Sequence, residues 1–134
     1  GFGRTGVLFA ADHVMLADRS EGSIALHVAL REGPSTLACI TGGPTDPPDR
    51  DCVAVLGDAV HRLGGRVTEM GVVHHRLGGP GVTDLDRRWA EALKAASMAF
   101  GFRPLGVMAR LYDGSLVRID VPPFLPEDYI DRVA

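Results

Sequence analysis

The run from Val72 to Arg88, VVHHRLGGPGVTDLDRR, restricts the possible folds of this chain more than any other stretch. An apolar segment ends in two histidines and a glycine-proline loop follows. Thr83 and Asp86 then stand in the first turn of a second apolar pattern. Leu85, Trp89, Leu93, Ala96 and Phe100 are spaced 4, 4, 3 and 4 residues apart, which puts them on one side of a helix. A buried strand tied by a short loop to a one-sided helix has to lay that helix on a sheet. The stretch therefore predicts a layered α/β protein. It is also where imidazole, carboxylate, hydroxyl and flexible backbone converge.

The flanking sequence supplies the other layers. GVLFA at 6–10 and DHVMLAD at 12–18 read as strands, RSEGS at 19–23 as a hairpin turn, and IALHVAL at 24–30 and TLACIT at 36–41 as further strands. GGPTDPPD at 42–49 can be neither helix nor strand, because its prolines remove donors and its glycines favour turns. Asp49 or Asp51 would cap a first helix whose stripe is Cys52, Leu56, Ala59, Val60 and Leu63, stopped by Gly64-Gly65. RVTEMGVVHH at 66–75 returns as a strand. Gly101 ends the second helix, and strands at 105–111 and 116–121 meet at Asp113-Gly114. Pro122-Pro123 stops the sheet, and a short tail helix is expected over 127–133. The predicted order is β-β-β-α-β-α-β-β with one extra strand at the start: a mixed, mostly antiparallel sheet flanked by two main helices.

Composition narrows the function. The chain has 134 residues, which suits one domain, 1–134, either complete or part of a longer chain. Apolar residues make up 46% and aromatics 6%, so the core is aliphatic. The net charge of −3 and the absence of interleaved aromatics argue against a nucleic-acid groove. No apolar run approaches the roughly 20 residues of a membrane span. Cys39 and Cys52 lie in no ligand-spaced pair. They are read as two buried thiols in a reducing cytoplasm, with a lone disulfide as the other option. Other groups have no motif support. His61 falls on the solvent side of its helix, alternation scatters Asp12, His13 and Asp18 over two faces, and Ser97 has no partner base.

The element order, with a His-bearing strand running into a glycine-proline loop and a helix, resembles the bacterial RadC-like branch of the JAB/MPN domains. That family carries His-x-His-Pro-Ser-Gly-Asp-Pro-x-Pro-Ser-x-x-Asp. Laid on VHHRLGGPGVTDLD at 73–86 without gaps, His75 falls on the second His, Gly78 on the Gly, Pro80 on a Pro, Thr83 on the Ser and Asp86 on the Asp. Val73 stands at the first His and Arg76 at the Pro after the second. VMLADRSEGSIAL looks like the family's first hairpin, DPPDRDCVAVLGDAVHRLGG like its first helix and FGFRPLGVMARLYDGSLVRI like its closing strands, so the likeness spans 12–121. It implies cytidine-deaminase-like layering. It also implies a zinc held by two His and the Asp, a hydroxyl supporting the oxyanion, and a Glu base that would fall near Leu26 or His27, where there is none.

A degenerate motif of this kind leads us to expect a pseudoenzyme. The chain would be a protein- or peptide-binding or scaffolding module without zinc, using a groove between the 76–82 loop and the early hairpin. One alternative is a zinc-dependent peptide or isopeptide hydrolase. Its ligands would be His27, His75 and Asp86, with Thr83 in the catalytic hydroxyl position and Asp12 or Glu69 as base. Another is a phosphate or nucleotide binder through Arg76 and the backbone of Gly78, Gly79 and Gly81. Two plainer readings cover part of the same residues. Thr83-x-x-Asp86 has capping-box spacing, and a strand-end His75 suits a structural hydrogen bond.

Overall fold

A computed structural model describes residues 24–31, 36–40, 52–122 and 124, with the backbone alone at 36–40. The elements are β1 (Ile24–Leu30), β2 (Thr36–Ile40), α1 (Cys52–Arg62), β3 (Val67–His75), α2 (Asp84–Phe100), β4 (Arg103–Arg110) and β5 (Leu116–Arg118). They match the predicted elements from residue 24 onward to within a residue or two, except that β4 starts two residues early and β5 is shorter, with Ile119 N still donating to Val107 O at 3.0 Å. The expected strands at 6–10 and 12–18, the 19–23 turn, the 42–49 loop, the Asp49 or Asp51 cap and the tail helix lie outside the described residues.

The strands form one mixed sheet in the order β2-β1-β3-β4-β5. β1 pairs antiparallel with β2 and β3, β3 pairs parallel with β4 through the α2 crossover, and β4 pairs antiparallel with β5. α2 lies against β4 and β3, and α1 lies against α2. Alternation along the strands then decides which side chains meet the helices. Ile24, Leu26 and Val28 of β1, Met70 and Val72 of β3, and Val107 and Ala109 of β4 share one core with Leu56 and Val60 of α1 and Trp89, Leu93 and Ala96 of α2. The other face carries Ala25, Val73 and Met108, which are buried outside that core.

The first helix buries Cys52, Leu56, Ala59 and Val60 of the stripe its spacing predicts, while Leu63 follows the helix end and is half-buried against the core. The second departs at its end. Phe100, expected in the core, is 47% exposed, because it is the last helical residue before Gly101 turns the chain in the left-handed region at φ 77°. Ala90, Ala92 and Ser97 are buried instead, and Ser97 Oγ donates to Lys94 O at 2.7 Å. Among the described residues no helix is long and apolar enough to cross a membrane.

Candidate functional site

The site grows from the phase of β3. Val72 and His74 point toward α2, whereas Val73 and His75 point to the opposite face. His74 is 1% exposed, pairs across the sheet with Ile24, and sets its ring 6.3 Å from that of Trp89. Two residues further on, Arg76 keeps the phase of His74 and turns back under the loop. Asp86, on the first turn of α2, is fully buried and receives both: His74 Nε2 lies 2.7 Å and Arg76 Nε 2.8 Å from Oδ1, and Arg76 Nη2 lies 3.0 Å from Oδ2.

The helix start completes the cluster. Thr83 caps α2: its hydroxyl accepts from Asp86 N at 3.2 Å, and its own N–H donates to Asp86 Oδ2 at 2.9 Å. This reciprocal box satisfies two of the donors that a helix N-terminus leaves open. Asp86 Oδ1 and Oδ2 thus accept two hydrogen bonds each, which fills the roughly four lone-pair sites of a carboxylate. Burial pushes this carboxyl up. Hydrogen bonds from His74 and Arg76, the positive charge on His74 and the Thr83 N–H overcome it, and the carboxyl is held at about 2 against an ordinary 3.8. An ionised carboxylate only accepts, so the proton in the His74 contact sits on Nε2.

Arg76 is closed to further ligands in the same way. Beyond its two bonds to Asp86, Nη1 donates to Leu77 O at 3.0 Å and Gly79 O at 2.9 Å, and Nη2 donates to Gly81 O at 3.0 Å. A guanidinium has five N–H groups, and all five are used here. Gly78, at φ 93°, supplies the left-handed turn that folds the loop over Arg76. The glycine loop therefore directs carbonyls inward at a cation. The expectation that Arg76 and the backbone of Gly78, Gly79 and Gly81 cradle a phosphate is corrected on both counts. The guanidinium is 6% exposed and saturated, and the carbonyls turned inward belong to Gly79 and Gly81.

The histidine partner is corrected as well: His74, not His75, meets Asp86. The alternation rule applies as expected but in the opposite phase, and a one-residue shift along a strand exchanges its faces. His27 pairs with Gly71, so it lies on the His75 side of the sheet, four positions along β3 and roughly 13 Å from it at the rise of a strand. Asp86 lies across the sheet from both. Among the described residues no three His, Cys, Asp or Glu side chains come together as a metal site, so His27, His75 and Asp86 are not a ligand set. Zinc does not fit the donors around Asp86 either. His74 Nε2 and both carboxylate oxygens are engaged, and a guanidinium charge lies within 3.0 Å. Leu26 faces the core and His27 the other side, so neither brings a carboxylate to the position of the family's Glu. Glu69 pairs with Ala29 toward the far end of β3, and Asp12 is outside the described residues. Thr83, expected to assist an oxyanion, holds the helix cap.

His75 instead faces a small recess of about 60 Å³ at the carboxyl ends of β3 and β4, shared with Leu77, Arg110 and Tyr112. Strand register pairs His75 with Arg110, and Arg76 N donates to Arg110 O at 3.1 Å. Sequence reasoning did not reach Arg110 or Tyr112. The Asp113-Gly114 turn was the available signal, since it brings residues 110–116 back beside the end of β3. No family model matches this sequence, and no curated protein and no solved structure is significantly similar to it.

Proposed function

We propose that this chain is a degenerate module of the RadC-like JAB/MPN type that acts by binding a protein or peptide partner. In this reading the guanidinium of Arg76 stands where active members hold their metal. The observation that carries it is the saturation of both groups at the core of the motif. All five N–H groups of Arg76 and both oxygens of Asp86 are engaged inside the protein. A hydrolytic zinc centre needs about three protein ligands with one open position, and a base for the bound water. The single histidine at Asp86 is His74, and on its face of β3 the position before it is the core residue Val72. The cluster instead fixes the strand-to-helix connection through a permanent internal cation. Such a connection presents surface loops in a set geometry, as a binding module requires.

The test is metal and turnover together. Protein dialysed against zinc and then against buffer should carry far less than one zinc per chain by elemental analysis. It should also leave peptide and isopeptide-linked substrates intact. Stoichiometric zinc with hydrolysis that disappears in His74→Ala or Asp86→Asn would overturn the reading.

A further inference from the structure

We infer that the Asp113–Gly114 bond is a site of spontaneous isoaspartate formation, and that Ser115 holds it in check while the turn between β4 and β5 is closed. This goes beyond the binding-module reading and does not depend on it. The sequence supplies the lability. A glycine after an aspartate has no Cβ to shield its backbone nitrogen, so that nitrogen can approach the aspartate side chain. In the reaction Gly114 N attacks Asp113 Cγ. A new N–Cγ bond closes a succinimide ring, and the carboxyl hydroxyl takes up the amide proton and leaves as water. Water then adds to either ring carbonyl. Breaking the new N–Cγ bond restores aspartate. Breaking the original peptide bond instead routes the chain through Cβ and Cγ, which lengthens the backbone without changing its composition.

The closed turn opposes each requirement of that step. Tyr112, Asp113 and Gly114 form the loop between Leu111 and Ser115, and Leu111 N donates to Ser115 O at 2.9 Å. Gly114, left-handed at φ 91°, sends its N–H to Leu111 O at 2.9 Å, so the attacking nitrogen is engaged. The Asp113 side chain is exposed but not free to swing. Its Oδ1 accepts from the Ser115 backbone N–H at 2.9 Å and from the Ser115 hydroxyl at 2.6 Å. Arg110 Nη1 donates to Gly114 O and so fixes the peptide that carries the Ser115 N–H. Ring closure also needs a neutral carboxyl, since only the protonated group can lose water. The Ser115 hydroxyl first, and its N–H second, hold the Asp113 carboxyl below its ordinary value, which keeps it ionised. Tyr112 and Gly114 line the recess beside the end of β3, so a lengthened backbone at Asp113 would reshape that recess permanently.

The test is to age the full chain at physiological temperature and near-neutral pH, and to quantify isoaspartate at Asp113 by peptide mapping with mass spectrometry. The free peptide of residues 111–117, aged alongside, gives the rate without the turn. The folded chain should form isoaspartate several-fold more slowly than the peptide, because reaction then waits on local opening. Ser115→Ala, at an exposed position, should speed it several-fold, and Ser115→Thr, which keeps a hydroxyl, should leave it close to the native rate. The pH profile separates a holder of the carboxylate from a residue that merely keeps the hairpin shut. The excess rate of Ser115→Ala should be large near neutral pH and should shrink as pH falls into the ordinary carboxyl range, where the group is protonated in both proteins. A native rate equal to that of the peptide, a Ser115→Ala no faster than native, a Ser115→Thr as fast as Ser115→Ala, or an excess independent of pH would each overturn the inference.

Discussion

His74 and His75 are adjacent in the chain and sit in opposite surroundings. His74 faces a closed polar cluster in which a carboxylate, a guanidinium, a helix cap and loop carbonyls satisfy one another. His75 faces a recess that opens to solvent between the exposed side chains of Leu77 and Tyr112. The two histidines point to opposite faces of the sheet, the pleat alone assigns each of them, and Arg76 of the closed cluster also lines the recess. The contrast teaches that motif spacing along the chain is a poor guide to a site when the motif begins on a strand. A shift of one position exchanges a closed structural cluster for a recess open to solvent.

The largest effect expected to test this contrast comes from Asp86→Ala. It would leave a buried guanidinium and His74 without their carboxylate, at a cost on the order of 3–5 kcal/mol. Arg76→Lys should not be tolerated much better than Arg76→Met, because one compact ammonium cannot reach acceptors spread over Leu77, Gly79, Gly81 and Asp86. His75→Ala, on the recess side, should cost about 1 kcal/mol. Urea denaturation of the four variants measures all of this. A His75→Ala as costly as Asp86→Ala would break the comparison.

Much of the scaffold could be read from the sequence and the pairing at its centre could not. The stripes of α1 and most of α2 follow from helical spacing alone, and Gly101 marks the helix end because a left-handed residue is needed there. The Thr83–Asp86 box was legible because both partners lie within one turn. The phase of β3 was not, because VVHH carries apolar residues on both faces and both faces are buried, so alternation gave no sign of which histidine turns to the helix. Arg76 was misassigned for a related reason. A lone arginine beside glycines looks like an anion site until the carbonyls of the same loop prove to be its acceptors.

Acid should separate the two sides more gently. The carboxyl of Asp86 is held at about 2 in the folded protein against an ordinary 3.8, so the unfolded chain takes up the proton first. Its contribution is complete above the ordinary value and is lost as pH falls from about 4 toward about 2, a loss of about 2 kcal/mol. Urea midpoints between roughly pH 5 and pH 2.5 should fall accordingly, and Asp86→Asn, although less stable throughout, should flatten that part of the slope. An unchanged slope in the variant would place the acid sensitivity elsewhere.

The smallest expected effect concerns the role of Thr83. As an N-cap, its hydroxyl matters as an acceptor for Asp86 N, and serine supplies the same oxygen. Thr83→Ala should therefore cost about 1 kcal/mol and Thr83→Ser only a few tenths, by the same urea melts. Neither should shift the amide resonances of Tyr112 and Gly114, because the hydroxyl of the cap meets Asp86 N on the helix side of the sheet. Were Thr83→Ala to shift the resonances of Tyr112 and Gly114 while costing little stability, the closed cluster and the open recess would have to be one coupled unit. The separation drawn from His74 and His75 would then be lost.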